Sequence, residues 1–273
     1  MNKITEHNWN TEKISRHYDY LHKYLGKRAY NYRFGKFFTS KKILEVLKNE
    51  YINILDVGIG SGNLFRFLKI NKINCDYTGA DISEYFVKKA KKLYPDGNFI
   101  KTDKELKKNL KEKYEFIYAR GVLPHQTNPL KMLDIILNKS IKGCILDLKT
   151  RDFGKTEMDI NKSFQTLQDT TIPHIVINYD ELINFIKNSK KLKHAKIYIN
   201  KRYEDLYGYR GRSIPKELNI LESKTASTSL YINLQSNKSD IITSYDPEKS
   251  KKNFLYYLNL ILDILEKKIL PSN

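Results

Sequence analysis

The first 50 residues carry their hydrophobic side chains at helical spacing, without the alternation of apolar and polar positions that marks a strand. One helix is expected over residues 14–30 and a second over 41–49, with Thr39 or Ser40 as the N-cap of the second. We therefore expect residues 1–50 to form a helical cap.

Short β-branched runs and amphipathic helical segments alternate from residue 51 onward. Strands are expected at 52–55, 75–83, 98–103, 114–122 and 142–150, and helices at 63–70, 83–95, 104–113 and 128–141. Because five strands alternate with helices, the pattern predicts an α/β fold with a doubly wound, mostly parallel sheet.

The pattern becomes less regular after residue 150. It predicts a loop or lid at 151–174, a late hairpin insertion at 203–226, helices at 179–189 and 248–268, and strands at 194–202 and 228–236. The main domain is expected to span 51–236. Residues 237–273 would form a C-terminal helix that packs on this domain or on a second copy in a homodimer.

The net charge of +18 raises the question of a polyanionic partner. Only nine of the 49 basic residues are Arg, and the lysines occur in scattered pairs. Phosphate recognition usually relies on Arg forks, so we attribute most of the charge to solvated faces and codon bias. A nucleic-acid footprint is the alternative.

Several features bear on location. No run of 18 apolar residues occurs, so no membrane-spanning helix is expected. The N-terminal residues MNKITEHNWN are polar and do not resemble a secretion signal. Cys75 and Cys144 lie in apolar runs and are expected as reduced core residues. We therefore expect a cytoplasmic protein.

The clearest chemical signal is the glycine-rich turn DVGIGSG at 56–62, which directly follows a strand. Glycines let the backbone pass close to a ligand without a Cβ clash, and the helix that opens at Asn63 offers free N–H groups. A dinucleotide fingerprint would read GxGxxG. Here the third glycine comes one residue early, and Asn63 stands where that fingerprint has glycine.

This turn resembles the first motif of the class I S-adenosylmethionine-dependent methyltransferases, an acidic residue followed by GxGxG. The resemblance covers residues 50–150 well and the sheet to about 236 loosely. It implies a sheet of the class I type and S-adenosylmethionine as cofactor. It also implies a cofactor-binding role for Asp56, Gly58, Ile59, Gly60, Gly62, Asn63, Asp81, Ile82, Thr102, Asp103, Arg120 and Gly121.

The resemblance assigns three strand ends to parts of the cofactor. Asp81 would accept hydrogen bonds from the ribose hydroxyls, and Thr102 with Asp103 would lie beside the adenine. Arg120 and Gly121 would form the floor near the methionine moiety. Each carboxylate has an ordinary alternative role as a helix cap.

Motifs of several acceptor classes are missing. The sequence has no [DNS]PP[YFW] after the fourth strand and no cysteine that follows a proline, which weighs against DNA adenine and cytosine C5 methylases. The fourth strand ends without a carboxylate and the fifth lacks an Asp-Asn pair. This weighs against magnesium-dependent catechol enzymes and Lys-Asp-Lys-Glu ribose methylases, and no metal is expected.

Histidines are the candidate general bases, because their side chains titrate near neutrality. His125 follows the fourth strand, where acceptors bind in this fold, and is the first candidate; the alternative is an ordinary loop residue. His174, at the end of the expected lid, is a weaker substrate-binding candidate. His17, Tyr18 and Tyr20 would line the acceptor pocket from the N-terminal helix, unless that helix simply packs on the sheet.

The insertion interleaves Arg and Tyr, with Tyr207 and Arg210 as candidate substrate contacts, a combination that suits sugar rings or unstacked bases. The alternative is a surface hairpin arm or a dimer contact. The sequence thus predicts methyl transfer to an O or N atom of a small molecule, preferably a sugar, nucleotide-sugar or surface-glycan precursor. RNA methylation and a non-catalytic cofactor-binding scaffold are the alternatives.

Overall fold

A computed structural model describes residues 6–17, 25–167, 169–204, 212–213, 224–246, 259 and 261–263. Seven helices carry labels here: α1 (Glu12–His17), α2 (Lys27–Gly35), α3 (Phe38–Asn49), α4 (Asn63–Ile70), α5 (Glu84–Leu93), α6 (Pro129–Lys139) and α7 (Tyr179–Asn188). Short 3-10 helices occur at Glu6–Trp9, Leu123–His125 and Lys190–Leu192.

Twelve strands are described. They are β1 (Asn53–Val57), β2 (Asp76–Asp81), β3 (Phe99–Lys101), β4 (Tyr114–Ala119), β5 (Ser140–Arg151), β6 (Phe164–Leu167), β7 (Thr170–Pro173), β8 (Ile177–Asn178), β9 (Lys196–Tyr203), β10 (Arg212–Ser213), β11 (Thr225–Asn233) and β12 (Asp240–Tyr245).

Nine of these strands form one sheet in the order β12-β9-β11-β5-β4-β1-β2-β3, with β8 beside the end of β5. The neighbours from β3 to β5 pair in parallel, whereas β11 runs antiparallel to both β5 and β9. The predicted doubly wound, mostly parallel α/β sheet is confirmed. A reversal of strand order on either side of β1 places a crevice at the carboxyl ends of the parallel strands.

Helices cover both faces of the sheet, which explains why its central strands are apolar at successive positions. Ile54 packs in the cluster formed with α2, α3 and α4, and the adjacent Leu55 packs in the cluster formed with α6 and α7. Burial on both faces fixes these strands at the centre of the fold. It thereby fixes where their carboxyl ends lie.

The helix predicted at 104–113 is wrong, because the structure has turns there. Leu106 and Asn109 have φ values of 54° and 62°, in the left-handed region that an α-helix excludes. Five of the ten residues are Lys, and only two are apolar. A helix would have had too narrow an apolar face, and the loop buries Leu106 instead.

The N-terminal helices also differ from the prediction. The 14–30 helix is interrupted: α1 ends at His17 and α2 begins after Gly26, with 18–24 outside the described residues. Thr39 and Ser40 do not cap α3, because they lie in its first turn and are buried. The N-cap is Phe37, which makes no side-chain capping bond.

The region after β5 is more regular than the sequence suggested. Within the expected lid at 151–174, β6 and β7 form a hairpin that pairs with β10 in a second, three-stranded sheet. Beyond residue 236, β12 adds an unpredicted parallel strand beside β9. Most of the predicted hairpin at 203–226 and of the helix at 248–268 lies outside the described residues.

Both cysteines are free thiols; Cys144 is buried, as expected, while Cys75 is only half-buried. Of the helices in the described part of the chain, none has the length and apolar character needed to cross a bilayer.

Candidate active site

The glycine turn between β1 and α4 holds three residues in the left-handed region: Gly58 (φ 71°), Gly60 (φ 53°) and Gly62 (φ 81°). A Cβ on Gly58 would lie 2.4 Å from Val122 Cγ2, so the Val122 side chain leaves no room for a larger residue at this position. A Cβ on Gly60 would meet only Asn63 Nδ2, at 3.6 Å. The open side of Gly60 therefore lets a ligand approach the backbone.

Asp81, at the carboxyl end of β2, faces this turn. Its Oδ1 accepts a hydrogen bond from the Ser83 N–H at 2.8 Å, and its Oδ2 accepts one from the Gly60 N–H at 3.2 Å. Burial raises the pKa of Asp81 to about 6, against the lowering effect of these amides and that of Ile82. A carboxylate has about four acceptor sites, so capacity remains for a ligand hydroxyl.

Asp56 lies near the end of β1, directly before the glycine turn. Its Oδ2 accepts a hydrogen bond from the Tyr77 hydroxyl at 2.7 Å, and burial raises the pKa of Asp56 to about 7. The side chain is nearly inaccessible to solvent, because it sits where β1 enters the turn.

A cavity of about 610 Å³ opens at this edge of the sheet. Most of the predicted site residues line it together: Asp56, Gly58, Ile59, Gly60, Asn63, Asp81, Ile82, Arg120, Gly121, His125 and His174. The ends of β1, β2 and β4 thus meet at this cavity, as expected from the sequence, whereas the predicted residues at the end of β3 do not line it.

Three predicted cofactor residues are not among the lining residues. Gly62 is the N-cap of α4, and a Cβ there would meet the Tyr94 ring at 2.9 Å. Asp103 accepts the Lys107 N–H at 2.9 Å, and Thr102 Oγ1 donates to the Lys108 carbonyl at 3.0 Å. These two side chains hold the loop that replaces the predicted 104–113 helix.

Of the six predicted substrate-binding residues, the structure describes the side chain of His174 alone. His174 is buried against the cavity, with its backbone N–H bonded to the Ser163 carbonyl at 3.0 Å. His17 is the last residue of α1, and its side chain is not described. Outside the described residues lie Tyr18, Tyr20, Tyr207 and Arg210.

The helical cap closes over the glycine turn through aromatic and cationic contacts. Tyr30 of α2 donates from its hydroxyl to the Asn63 carbonyl at 2.7 Å. The Arg120 guanidinium lies over the Phe37 ring, 3.7 Å from its centroid, and 4.8 Å from the centroid of Phe34. The cap therefore forms one wall of the cavity.

His125 lies in the 3-10 helix that follows β4, and its ring borders the cavity. Its Nδ1 lies 2.8 Å from the carbonyl oxygen of Pro173. A carbonyl only accepts hydrogen bonds, so the network assigns the proton to Nδ1 and, in the neutral ring, the lone pair to Nε2. The Trp9 ring packs edge-on at 4.7 Å, and the His174 ring lies at 5.4 Å, centroid to centroid.

The cavity is also lined by polar side chains on β5, β9 and β11 that were not predicted from the sequence. Ser229 pairs with Asp147 on one side and Asn200 on the other, and Ser227 pairs likewise with Lys149 and Arg202. All six line the cavity. We call them the polar rows: Asp147, Lys149, Asn200, Arg202, Ser227 and Ser229. The polar positions 147 and 149, alternating with buried leucines, were the available sequence signal.

The second row is held by ion pairs. Lys149 Nζ lies 2.8 Å from Glu204 Oε1 and donates to Ser227 Oγ at 2.7 Å. Arg202 pairs with the other oxygen of Glu204 at 2.9 Å. In the first row, Asp147 accepts the Gly121 N–H at 2.5 Å.

These residues fit S-adenosylmethionine. The open side of Gly60 admits a ligand next to the backbone, and Asp81 offers acceptor capacity for ribose hydroxyls. Ile82 and Phe86 supply an apolar wall beside them. Within the described part of the chain, no three His, Cys, Asp or Glu side chains group closely enough to hold a metal ion.

Known proteins share this architecture. A plantazolicin methyltransferase, solved with a triazolic desmethylPZN analog and SAH, is 13% identical with a TM-score of 0.51, over 84% of this chain and 94% of that chain. Magnesium protoporphyrin IX methyltransferase from Synechocystis PCC 6803, with bound SAM, is 13% identical with a TM-score of 0.49, over 85% and 99%. The chain matches no protein of curated function.

A family model described as a methyltransferase domain matches residues 24–194, well over half of the chain. The matched segment contains the glycine turn, Asp81, Arg120 and His125. The chain therefore belongs to the class I S-adenosylmethionine-dependent methyltransferases and is an enzyme that uses S-adenosylmethionine as its methyl donor.

Proposed function

We propose that the enzyme methylates an O or N atom of a small, hydroxyl-rich molecule, preferably a sugar, a nucleotide-sugar or a surface-glycan precursor. The observation that carries this proposal is the continuity of the cavity from the cofactor turn to the polar rows. The proposed cofactor and acceptor subsites thus share one enclosure of about 610 Å³. Such a volume lies within the range of about 300–1,000 Å³ typical of small-molecule pockets.

The polar rows support a hydroxylated acceptor. They present carboxylate, ammonium, guanidinium, amide and hydroxyl groups on one face of three adjacent strands. Side chains on neighbouring strands are about 4.8 Å apart, and alternate residues along a strand about 6.6 Å apart. Side chains at this spacing can bond to several hydroxyls of one acceptor molecule.

The opposite wall is aromatic. Trp9, Phe34, Phe37 and Phe38 line the same cavity from the N-terminal segment and the helical cap. Aromatic faces stack on the apolar face of a pyranose-like ring, while hydrogen bonds hold its edge. A polar floor and an aromatic wall together favour a ring with hydroxyl substituents.

When bound, the cofactor would supply an activated methyl group, because the leaving group of a methyl sulfonium is a neutral thioether. The chain contributes position: Gly60 and Asp81 hold the cofactor subsite, and the polar rows hold the acceptor beside it. Correct placement of two reactants accounts for up to about 7–11 kcal/mol of barrier lowering. Most of the catalysis is therefore assigned to orientation.

His125 is assigned the general base. The Pro173 carbonyl fixes the proton on Nδ1, so Nε2 is the atom that removes a proton from an acceptor hydroxyl or amine. Such a base typically adds about 10²–10⁴-fold. His174, beside the His125 ring, is assigned to the wall of the acceptor subsite.

RNA methylation is the second candidate, favoured by the net charge of +18. Only five of the 49 Lys and Arg side chains line the cavity, however, and two of these five pair with Glu204. The test is incubation with methyl-labelled cofactor and either the small-molecule or the RNA fraction of a cell extract. Label in a small product supports the proposal, label in RNA supports the second candidate, and no label in either fraction contradicts both.

The proposal also includes the limits of the domain and the cellular location of the enzyme. Residues 1–50 act as the cap of a methyltransferase domain that starts at 51 and extends beyond 236, because β12 continues its sheet. Free thiols at Cys75 and Cys144 are compatible with a cytoplasmic enzyme.

A further inference from the structure

We propose that the acceptor carries an oxyanion, a phosphate or a carboxylate, which binds to the cationic cluster formed by Arg120, Lys149 and Arg202. This inference rests on the proposed function, because the cluster lies in the acceptor half of the same cavity. It narrows the acceptor from any hydroxylated ring to one with a negatively charged substituent.

The local balance of charge around Lys149 and Arg202 favours an anionic ligand. Lys149 and Arg202 share a single carboxylate, Glu204, and the exposed fractions of the three side chains are 20%, 22% and 13%. Two partly buried cations thus pair with one anion. An uncompensated charge that is partly removed from water is unfavourable unless a counter-charge is supplied.

Arg120 adds a third cation at the same place. Its guanidinium lies 3.7 Å from the centroid of the Phe37 ring, and the Arg202 guanidinium lies 5.8 Å from the same centroid. Among the residues that the structure describes, no carboxylate forms an ion pair with Arg120. Two guanidinium groups therefore converge on one ring, and Glu204 pairs with only one of them.

The other acidic groups of this half do not pair with the cluster. Asp147 accepts the Gly121 N–H at 2.5 Å, and Asp246 accepts from Asn200 Nδ2 at 3.3 Å. Among the described residues, the cluster therefore combines three cations with a single carboxylate, Glu204, that pairs with any of them.

The geometry of these groups suits an oxyanion. A guanidinium stacked on an aromatic ring keeps its N–H edge available for bidentate bonds to phosphate or carboxylate. Lys149 has a third N–H beyond its bonds to Glu204 and Ser227. The cations lie inside a cavity, which indicates a discrete anionic group instead of a long polyanion laid across a surface.

The test measures binding directly, without turnover. Protein saturated with S-adenosylhomocysteine is titrated by calorimetry with uridine diphosphate and with glucuronate, beside the neutral probes uridine and glucose. The variants are Arg120→Gln and Lys149→Met, with Lys187→Met as control, because Lys187 is an exposed residue of α7 away from the cavity. Circular dichroism first confirms that each variant is folded.

We expect at least one anionic probe to bind at least about tenfold more tightly than its neutral partner, the size of effect that one charged hydrogen bond supplies. Arg120→Gln and Lys149→Met should weaken that binding by about tenfold, and Lys187→Met by less than about twofold. Preference for uridine diphosphate would identify a phosphate site, and preference for glucuronate a carboxylate site.

Equal binding of charged and neutral probes, or equal loss in the Lys187→Met control, would overturn the inference. So would loss of S-adenosylhomocysteine affinity in Arg120→Gln, since Arg120 would then bind the cofactor. The proposed function has a separate test: it is contradicted if no small methylated product forms, whether or not the anionic probes bind. If wild type and Lys149→Met methylated a neutral acceptor equally, the inference of an oxyanion on the acceptor would be contradicted, but the proposed function would not.

Discussion

The Nδ1 atom of His125 lies 2.8 Å from the carbonyl oxygen of Pro173, so the segment after β4 is tied to the end of β7. A second bond, from the Ile175 N–H to the Pro124 carbonyl at 2.7 Å, joins the same two segments. The small β6–β7–β10 sheet thereby fixes both the orientation and the tautomer of the proposed base.

Replacing His125 tests this assignment. His125→Gln keeps a side-chain N–H donor but has no basic nitrogen, so turnover should fall by about 10²–10⁴-fold with cofactor affinity nearly unchanged. Single-turnover kinetics with saturating cofactor measure the effect. His174→Gln is the matched control and should change turnover less. A loss below about threefold in His125→Gln would contradict the assignment of His125 as the general base.

Cofactor affinity should depend on pH through Asp81. Burial raises the pKa of this carboxyl to about 6, and ribose hydroxyls donate to its ionised form. Binding therefore favours the ionised form, and affinity should fall by up to about tenfold per pH unit below 6 and level off above 7. Calorimetry in buffers of different ionisation enthalpy should also detect proton release near pH 6.

Two variants check the origin of this pH dependence. Asp81→Asn should abolish the fall below pH 6 and weaken binding, because each charged hydrogen bond is worth about 1.5–3 kcal/mol. Asp103→Asn should change neither, because Asp103 caps a loop outside the cavity. A residual slope near pH 7 would be assigned to Asp56, whose pKa burial raises to about 7. Unchanged affinity in Asp81→Asn would contradict the cofactor site.

Substitutions at two glycines of the turn should have different effects, one on cofactor binding and the other on stability. Gly60→Val should remove cofactor binding with a modest loss of stability. Its Cβ would make only an ordinary contact with Asn63 Nδ2 at 3.6 Å, but a side chain at a φ of 53° is strained by about 1–3 kcal/mol. Gly58→Ala should destabilise the fold more, because its Cβ would lie 2.4 Å from Val122 Cγ2.

Thermal unfolding and S-adenosylhomocysteine titration separate these two outcomes. Adding Val122→Ala should recover part of the stability lost in Gly58→Ala, because it removes the clashing methyl group, whereas it should not restore binding to Gly60→Val. Normal cofactor binding by Gly60→Val would show that the ligand does not approach the turn.

Local sequence patterns predicted that the glycine turn and Asp81 would lie together at one edge of the sheet. The glycine turn and Asp81 follow buried parallel strands, and the carboxyl ends of such strands meet at one edge whatever the rest of the chain does. The same reasoning placed Thr102 and Asp103 at the cavity. Their side chains instead hold the 103–109 turn, whose left-handed residues have no period that a pattern would show.

The arrangement of the proposed acceptor subsite could not be predicted from local patterns, because it depends on contacts between distant segments. Ser229 aligns with Asp147 and Asn200 only because β11 runs antiparallel between β5 and β9, a register that no local pattern specifies. The β6–β7 hairpin was likewise hidden, because each of its strands has only four residues. His125 was predicted from its place after β4, but its hydrogen bond to Pro173 required the tertiary structure.

The most direct test of the whole account is incubation of the enzyme with methyl-labelled S-adenosylmethionine and a size-fractionated cell extract at physiological salt. Wild type should label a polar molecule of low mass, His125→Gln should label it far more slowly, and Gly60→Val should not label it. Binding to RNA should be weak and should vanish near physiological salt, because phosphate contacts on single strands lose affinity with a log–log slope of about −0.7 each. Saturable labelling of RNA under these conditions, with no small product, would contradict the account.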